Sequence, residues 1–435
     1  MRIRTEIAVV GSGAGGATVA KELAGRGKDV LIVERGPYVS NIGTQRAGLG
    51  FYDRCGLRTS KEGIIVYRTL MVGGTTVVSC GSGVRVLEKE LKDSGLDLAP
   101  EFEETEKELG VRPLAERLIG PGSRLIMDAA NRLGFEMRPM PKFIDPEKCV
   151  SCGRCVLGCK TGAKWTTLNF VNEALQKGAR IITRVEVRSV VSHKGRAVGL
   201  VGAGPEGKIR IYADRIILAA GGISSPVILK RSGIENAGKK LFTDLFNVTY
   251  GIYRKKDINL WNEPSMAALS TKHMQSKGFI MAPFIDVPLV LRGTMSKRRQ
   301  IKNFRHNNLL GIMVKTKDES AGKITTKERF EKLVTPEDHK KLDEGAGMAK
   351  DILMEAGVKK KDIILTKPRG AHPGGSAAIG EVVDKDLETE IRDLYVCDAS
   401  VLPTSPGAPP IVTIVALAKK LAKKLAGGME QEQNV

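Results

Sequence analysis

Apolar residues in this chain come in short solid runs, separated by glycine turns and helical stretches. The first, Ile7 to Val10, contains no polar residue and ends in glycines. Such a run predicts a strand buried on both faces, as in parallel sheets. A helical stretch follows through Ala24, then a second apolar strand from Val30 to Val33 ending in Glu34. The string ADRIILAAGGISSP, from Ala213 to Pro226, predicts a strand running into two glycines, and LYVCDAS predicts another with Asp398 just past it. Strands alternating with helices in this way indicate an α/β class. From about 241 to 369 the pattern changes to short β-like runs such as FNVTYGIY and GFIMAPFI, which predict a second sheet, followed by a helical stretch from Pro336 to Ala356. Residues 94–140 hold the acidic segment EFEETEKELG, read as a solvated helix face, and a helix around Leu125–Leu133. KKLAKKLA at 419–426 is amphipathic, suited either to packing or to contact with a membrane surface. No apolar run approaches the roughly 18 residues of a membrane span.

The first glycine turn carries chemistry. Gly11, Gly13 and Gly16 form G-x-G-x-x-G between a strand and a helix. The glycines permit a tight turn, close approach to a pyrophosphate and close helix packing. The helix N-terminus offers unpaired amides to phosphates, and Glu34 is placed to bind a ribose hydroxyl. Ala14 and Arg35 fall in the same predicted dinucleotide site.

Four cysteines, Cys149, Cys152, Cys155 and Cys159, occupy the string CVSCGRCVLGC. The spacing C-x2-C-x2-C-x3-C is that of bacterial ferredoxins, which hold iron–sulfur clusters. The alternatives are zinc, whose sites usually come as two separated knuckles, and no metal at all. Lys160 stands where ferredoxins place a proline, and there is no second run. Either Cys159 folds back onto the same cluster or a remote cysteine (Cys55, Cys80 or Cys397) completes it; Cys55 and Cys397 read better as small buried residues.

Seven cysteines, four of them clustered, argue against a secreted disulfide framework. The opening MRIRTEIAVVGSGAGG reads as strand and turn rather than as a signal peptide. A reducing cytoplasm is the expected setting, and an exposed cluster favours an anaerobic one. The net charge of +20 is spread widely, with its densest patch in SKRRQIKNFRH: Lys297, Arg298, Arg299, Lys302, Arg305 and His306. Few aromatics and no nucleic-acid motif turn this away from nucleic acid. Acidic electron carriers, anionic substrates and lipid headgroups fit better, and a solvated loop is the plain alternative.

Together, IAVVGSGAGG, VGGTTVVSCGSG, AAGGISSPVILKRSGI, GIMVKTKDESAGKI, HPGGSAAIGEVVD and LYVCDASVLPTSPGAPPIVTIVALA, in that order, resemble the glucose–methanol–choline (GMC) oxidoreductase family over most of the chain. CVLGCKTGAKWTTLNFVNEALQKGARI is similar to the matching part of long-chain alcohol oxidases. The resemblance implies non-covalent FAD. Gly73, Gly74, Thr75 and Thr76 would lie against the flavin, Val187 would meet the adenine, and Asp398 would contact the ribityl or pyrophosphate region. Ala220 and Gly221 belong to the returning strand, and Pro410 and Ile411 to a helix start aimed at the flavin's pyrimidine edge. His372, in HPGG, matches the histidine that takes the alcohol proton as hydride leaves. The family's second His or Asn falls at Pro409, which has neither side-chain donor nor acceptor, and the chain is short for the family.

The expected architecture is a discontinuous Rossmann-type FAD-binding domain (1–140, 168–240 and 370–428), with an iron–sulfur loop insertion at 141–167. A smaller α+β substrate or cap domain takes 241–369, and 429–435 form a disordered tail. The implied function is FAD- and [4Fe–4S]-dependent exchange of hydride with an alcohol or hydroxylated compound, with single electrons passing to a carrier such as ferredoxin. The alternative is an electron-transfer subunit of a larger redox complex, with a vestigial substrate site.

Overall fold

A computed structural model describes residues 1–433 except 57, 256–257, 259, 289 and 292–307. The basic patch at 297–306 therefore lies outside the described residues. No helix among the described residues is long and apolar enough to cross a membrane.

The apolar runs pair as their composition requires. β1 (Arg2–Val10) lies between β2 (Val30–Val33) and β6 (Gly207–Leu218), parallel to both, and β3 (Arg180–Ile182) extends the sheet beyond β2. Ile7, Ala8 and Val9 are completely buried, because helices and loops cover both sheet faces. β4 (Glu186–His193), β5 (Arg196–Gly204) and β6 form an antiparallel meander on the other side. β5 pairs with the first part of β6, and the late strand β12 (Leu394–Val396) pairs in parallel with its last three residues. The C-terminal region thus returns to the first sheet.

Two glycines fix the turn after β1. Gly11 has φ +102°, and a Cβ there would stand 2.3 Å from the Ala219 carbonyl oxygen. A Cβ on Gly16 would stand 2.0 Å from the carbonyl oxygen of Gly11, so helix α1 (Ala14–Ala24) rests directly on the turn. The last helix, α5 (Ile411–Gln433), packs along α1. It continues through 433, so the expected tail is helical over the described residues; Met, Glu and Gln are good helix formers.

The second sheet is antiparallel, in the order β8 (Phe279–Pro283), β9 (Leu309–Thr316), β7 (Leu245–Ile252), β10 (Ile363–Leu365), with β11 (Arg369–Gly370) also pairing with β7. Helix α4 (Pro336–Glu355), started by a Thr335–Asp338 capping box, covers one face. The other face looks into a cleft against the first sheet.

The acidic segment is not a solvated face. Its helix, Ala99–Leu109, meets α5: Lys423 lies 3.0 Å from Glu101 and 2.8 Å from Glu104, and Lys419 lies 2.8 Å from Glu104. Glu101 is buried, and Lys419 is buried too. Lys420 also reaches Glu101 at 3.8 Å and Lys424 pairs with Asp386 at 2.8 Å, so all four KKLAKKLA lysines are engaged within the fold. The expected helix at 125–133 begins earlier, at Pro121, because the Glu263 carboxyl accepts from the Gly122 and Ser123 amides and satisfies its first turn.

Candidate active site

One continuous cleft runs from the end of β2 to the second sheet. At its first end stands Glu34, buried, with its carboxyl accepting from the Ser12 amide (3.0 Å), the Ser12 hydroxyl (2.7 Å) and the Gly36 amide (2.7 Å). Burial pushes its pKa up, and those hydrogen bonds oppose the shift. Gly11, Gly13, Ala14, Arg35 and Val187 line this end, and nothing lies within 4 Å of where a Gly13 Cβ would be. An open glycine beside a helix N-terminus is a cradle for phosphates. Gly16 does not reach the cleft; its part is the close packing of α1.

The GGTT turn forms the middle wall. Gly74, Thr75 and Thr76 line the cleft, whereas Gly73 lies behind them, its amide donating to the Ser12 hydroxyl at 3.0 Å. Thr75 is exposed toward the opening, but the Thr76 hydroxyl is occupied, donating to the Gly73 carbonyl at 2.7 Å. Ala220 and Gly221 face the turn, and Asp398 is fixed by the Gly221 amide (2.8 Å) and the Ser400 amide (2.7 Å). Pro409, Pro410 and Ile411, at the start of α5, line the same cleft. A carboxylate at the end of β2, a phosphate cradle and a helix N-terminus arranged along one cleft fit an extended dinucleotide such as FAD.

His372 stands at the far end, and its Nδ1 lies 2.8 Å from Oδ2 of Asp244. Asp244 is completely buried and accepts at Oδ1 from the Ser405 hydroxyl (2.7 Å) and the Gly407 amide (3.0 Å). The Asp244 carboxylate accepts a hydrogen bond from Nδ1–H, the tautomer that leaves Nε2 of His372 as the acceptor in the cleft. Burial pushes the His372 pKa down and the charge of Lys315 pushes it further, while Asp244 resists; the imidazole is left below its ordinary value. Around it the cleft is mostly apolar, with Phe246, Met266, Phe284 and Met313.

Comparisons with known proteins decide what this arrangement is. The chain matches the GMC oxidoreductase family model at residues 8–246 and again at residues 318–418. The chain belongs to the GMC oxidoreductase family. A GMC oxidoreductase is an FAD-dependent enzyme, and the cleft is built for that cofactor. An uncharacterised protein of Methanocaldococcus jannaschii is 32% identical, covering 97% of this chain and 99% of its own. A long-chain-alcohol oxidase of Arabidopsis thaliana is 25% identical over 100% of this chain and 69% of its own. Among solved structures, pyridoxine 4-oxidase from Mesorbium loti shares the fold at TM-score 0.75 and 17% identity, covering 97% of this chain and 99% of that one.

In this GMC oxidoreductase the cysteine run forms a loop clamped at its base, where the Asp145 amide donates to the Ala163 carbonyl at 2.7 Å and Trp165 to Phe143 at 3.0 Å. The loop abuts the cleft: Val156 and Leu157, directly after Cys155, line it. Among the described residues no three His, Cys, Asp or Glu side chains converge as ligands of one metal ion. The predicted cluster is thus not a feature the fold itself displays. The surroundings nonetheless fit an anionic group. Lys164, buried, donates to the carbonyls of Val77 (2.9 Å), Ser79 (2.6 Å) and Cys155 (2.9 Å). Lys142, also buried, donates to the carbonyls of Cys80 (2.8 Å) and Ser265 (2.8 Å). Neither pairs with a carboxylate among the described residues, and thiols are their nearest acidic groups. Burial pushes the Cys159 thiol up, but the Thr161 hydroxyl, backbone amides and the Lys164 charge outweigh it and leave it below its ordinary value. Of the remote cysteines, Cys80 lies beside this loop and lines the cleft. Cys397 is buried under α1, with its carbonyl against Gly15, and the Cys55 side chain lies outside the described atoms.

Sequence reasoning missed Asp244, which sits in no motif, and Lys315. The signal for Lys315 was available: a lysine inside the apolar run GIMVKT.

Proposed function

We propose that this GMC oxidoreductase exchanges a hydride with an alcohol or hydroxylated compound, as a dehydrogenase or reductase, and passes single electrons to an acidic carrier of the ferredoxin type. The observation that carries the reading is His372, with Asp244 behind it and Nε2 facing the cofactor cleft. FAD, when bound, supplies a hydride acceptor that can also release electrons singly. Nε2 accepts the hydroxyl proton, and Asp244 holds the ring and the tautomer that make this possible. The relatives named long-chain-alcohol oxidases, and the apolar wall around His372, support a hydroxylated substrate with an apolar body. Pyridoxine 4-oxidase supports the fold alone. Anaerobic mixing with a panel of alcohols, from short to long chain, tests the reading: bleaching of the flavin absorbance by one of them is expected, and a flavin indifferent to all of them, and to the matching carbonyls after reduction, would refute it.

FAD is held without a covalent link, because the GGTT wall contains no histidine or cysteine. Acid precipitation is expected to leave all the yellow colour in the supernatant. Colour retained in the pellet overturns this.

The four clustered cysteines and the two buried lysines support a [4Fe–4S] cluster held by Cys149, Cys152, Cys155 and Cys159, adjoining the cleft through Val156 and Leu157. A cluster of this kind exchanges one electron at a time. Protein made without oxygen is expected to contain iron and acid-labile sulfide, each at about four per chain, and Cys152→Ser to lose both while keeping FAD. Zinc in place of iron would remove the cluster from the proposal. A cytoplasmic, reducing setting suits such a site. Pro409 favours the second reading, an electron-transfer subunit with a vestigial substrate site; a stoichiometric redox partner found by mass spectrometry, with no alcohol able to bleach the flavin, would establish it.

A further inference from the structure

Lys315 lies on β9, only 2% exposed, yet its side chain lines the cleft near His372. Strand periodicity places it there. Val314 faces helix α4, where a Cβ on Gly345 would stand 2.3 Å from its Cγ1. Met313 and Lys315 therefore point to the opposite face, into the cleft. The ammonium lies 4.9 Å from the centre of the Phe246 ring, which replaces only part of its hydration. Neighbouring buried cations are answered by carboxylates: Arg369 by Asp286 at 2.7 and 2.9 Å, and Lys332 by Asp318 at 2.9 Å. The Lys315 ammonium makes no ion pair and donates no hydrogen bond among the described residues, and the charges of Asp244 and Asp318 act on it only from beyond ion-pair distance. An ammonium that faces the cleft with its donors unused can receive an acceptor that enters there.

The geometry points to Lys315 as the second hydrogen-bonding partner of the substrate's reacting oxygen, donating to that oxygen while Nε2 of His372 takes its proton. The inference rests on the alcohol reading given above. In the balanced step the O–H proton goes to His372, the carbinol hydride goes to the bound cofactor, and the substrate becomes a carbonyl. Negative charge grows on the oxygen as the proton leaves, and a preorganised ammonium stabilises it there. Pro409, on the same cleft, can supply no such contact. With Phe246, Met266, Phe284 and Met313 as walls, the substrate class is a hydroxy compound with an apolar body and its oxygen end between His372 and Lys315.

Decanoate tests this without turnover, because it carries a full negative charge at the oxygen end of an apolar chain. FAD-loaded protein is titrated with decanoate, and with uncharged 1-decanol as the control, following the flavin absorption spectrum. Lys315→Met is expected to weaken decanoate by about tenfold or more, the usual worth of a charge-assisted hydrogen bond. It should change 1-decanol by under about threefold, because a neutral hydroxyl loses less. Lys315→Arg should recover part of the decanoate affinity. Full FAD content and normal dithionite reduction establish that the variants are folded. Equal decanoate affinity in parent and Lys315→Met, or no decanoate binding by the parent, overturns the inference. If alcohols bleach the flavin but decanoate ignores residue 315, only this inference falls. If no alcohol bleaches it while decanoate binding still depends on Lys315, the oxyanion site stands and the alcohol reading falls.

Discussion

Replacing His372 by alanine is expected to slow flavin reduction by an alcohol at the upper end of the roughly 10²–10⁴-fold range that acid–base groups supply. Nε2 of His372 is positioned in the cleft by the 2.8 Å bond between its Nδ1 and Asp244. Pro409, which lines the same cleft, has no side-chain acceptor and cannot substitute for it. Reduction by dithionite should be unaffected, since it needs no proton acceptor at the substrate. The pH profile of the parent enzyme provides a further check. Burial lowers the His372 pKa, with Lys315 adding to the effect, so the neutral form persists below the ordinary histidine value of about 6.5. The rate should therefore be flat through neutral pH and fall only when acid protonates Nε2 below that value. A variant within a few-fold of the parent would place the proton transfer elsewhere and shift weight to the electron-transfer-subunit reading.

Asp244→Asn is expected to cost nearly as much, on the order of 10³–10⁴-fold, through the tautomer rather than through lost packing. An asparagine amide donates where the carboxyl accepted, so the imidazole would turn its lone pair to Nδ1 and carry its proton on Nε2, facing the substrate. The fold should tolerate the change. Asp244 has φ +47°, a left-handed conformation that asparagine adopts readily. An Asn oxygen can still accept from the Ser405 hydroxyl and the Gly407 amide. Asp244 is a positioning residue, so rate alone does not identify its role. Its hydrogen bond and charge are what hold the His372 pKa up against burial. The acid limb of the remaining activity should accordingly move to lower pH in Asp244→Asn, a change that a simple loss of stability would not produce. An unshifted limb with an unchanged rate would leave Asp244 a structural residue.

The sequence by itself determined whatever is local. Uninterrupted apolar runs made Ile7–Val10 and Val30–Val33 buried strands, and the spacing of Gly11, Gly13 and Gly16 made the turn between them. Each follows from the residue's own backbone freedom or from burial on both faces, properties that need no distant partner. The histidine of HPGG and the cysteine run could be singled out for the same reason: their chemistry lies in the residue type and its spacing. Tertiary structure alone decided the rest. Asp244 and His372 are 128 residues apart in sequence, and only the pairing of β7 with β11, which leads into His372, brings them together. Glu101 and Lys423 form a helix–helix seam because α5 returns across the Ala99–Leu109 helix, which no charge count could foresee. Lys315 became a candidate ligand because the sheet that buries it turns it toward the cleft while placing no carboxylate of the described residues within ion-pair distance. A buried charge acquires its role from what the fold sets beside it, and that depends on the packing of segments far apart in the chain.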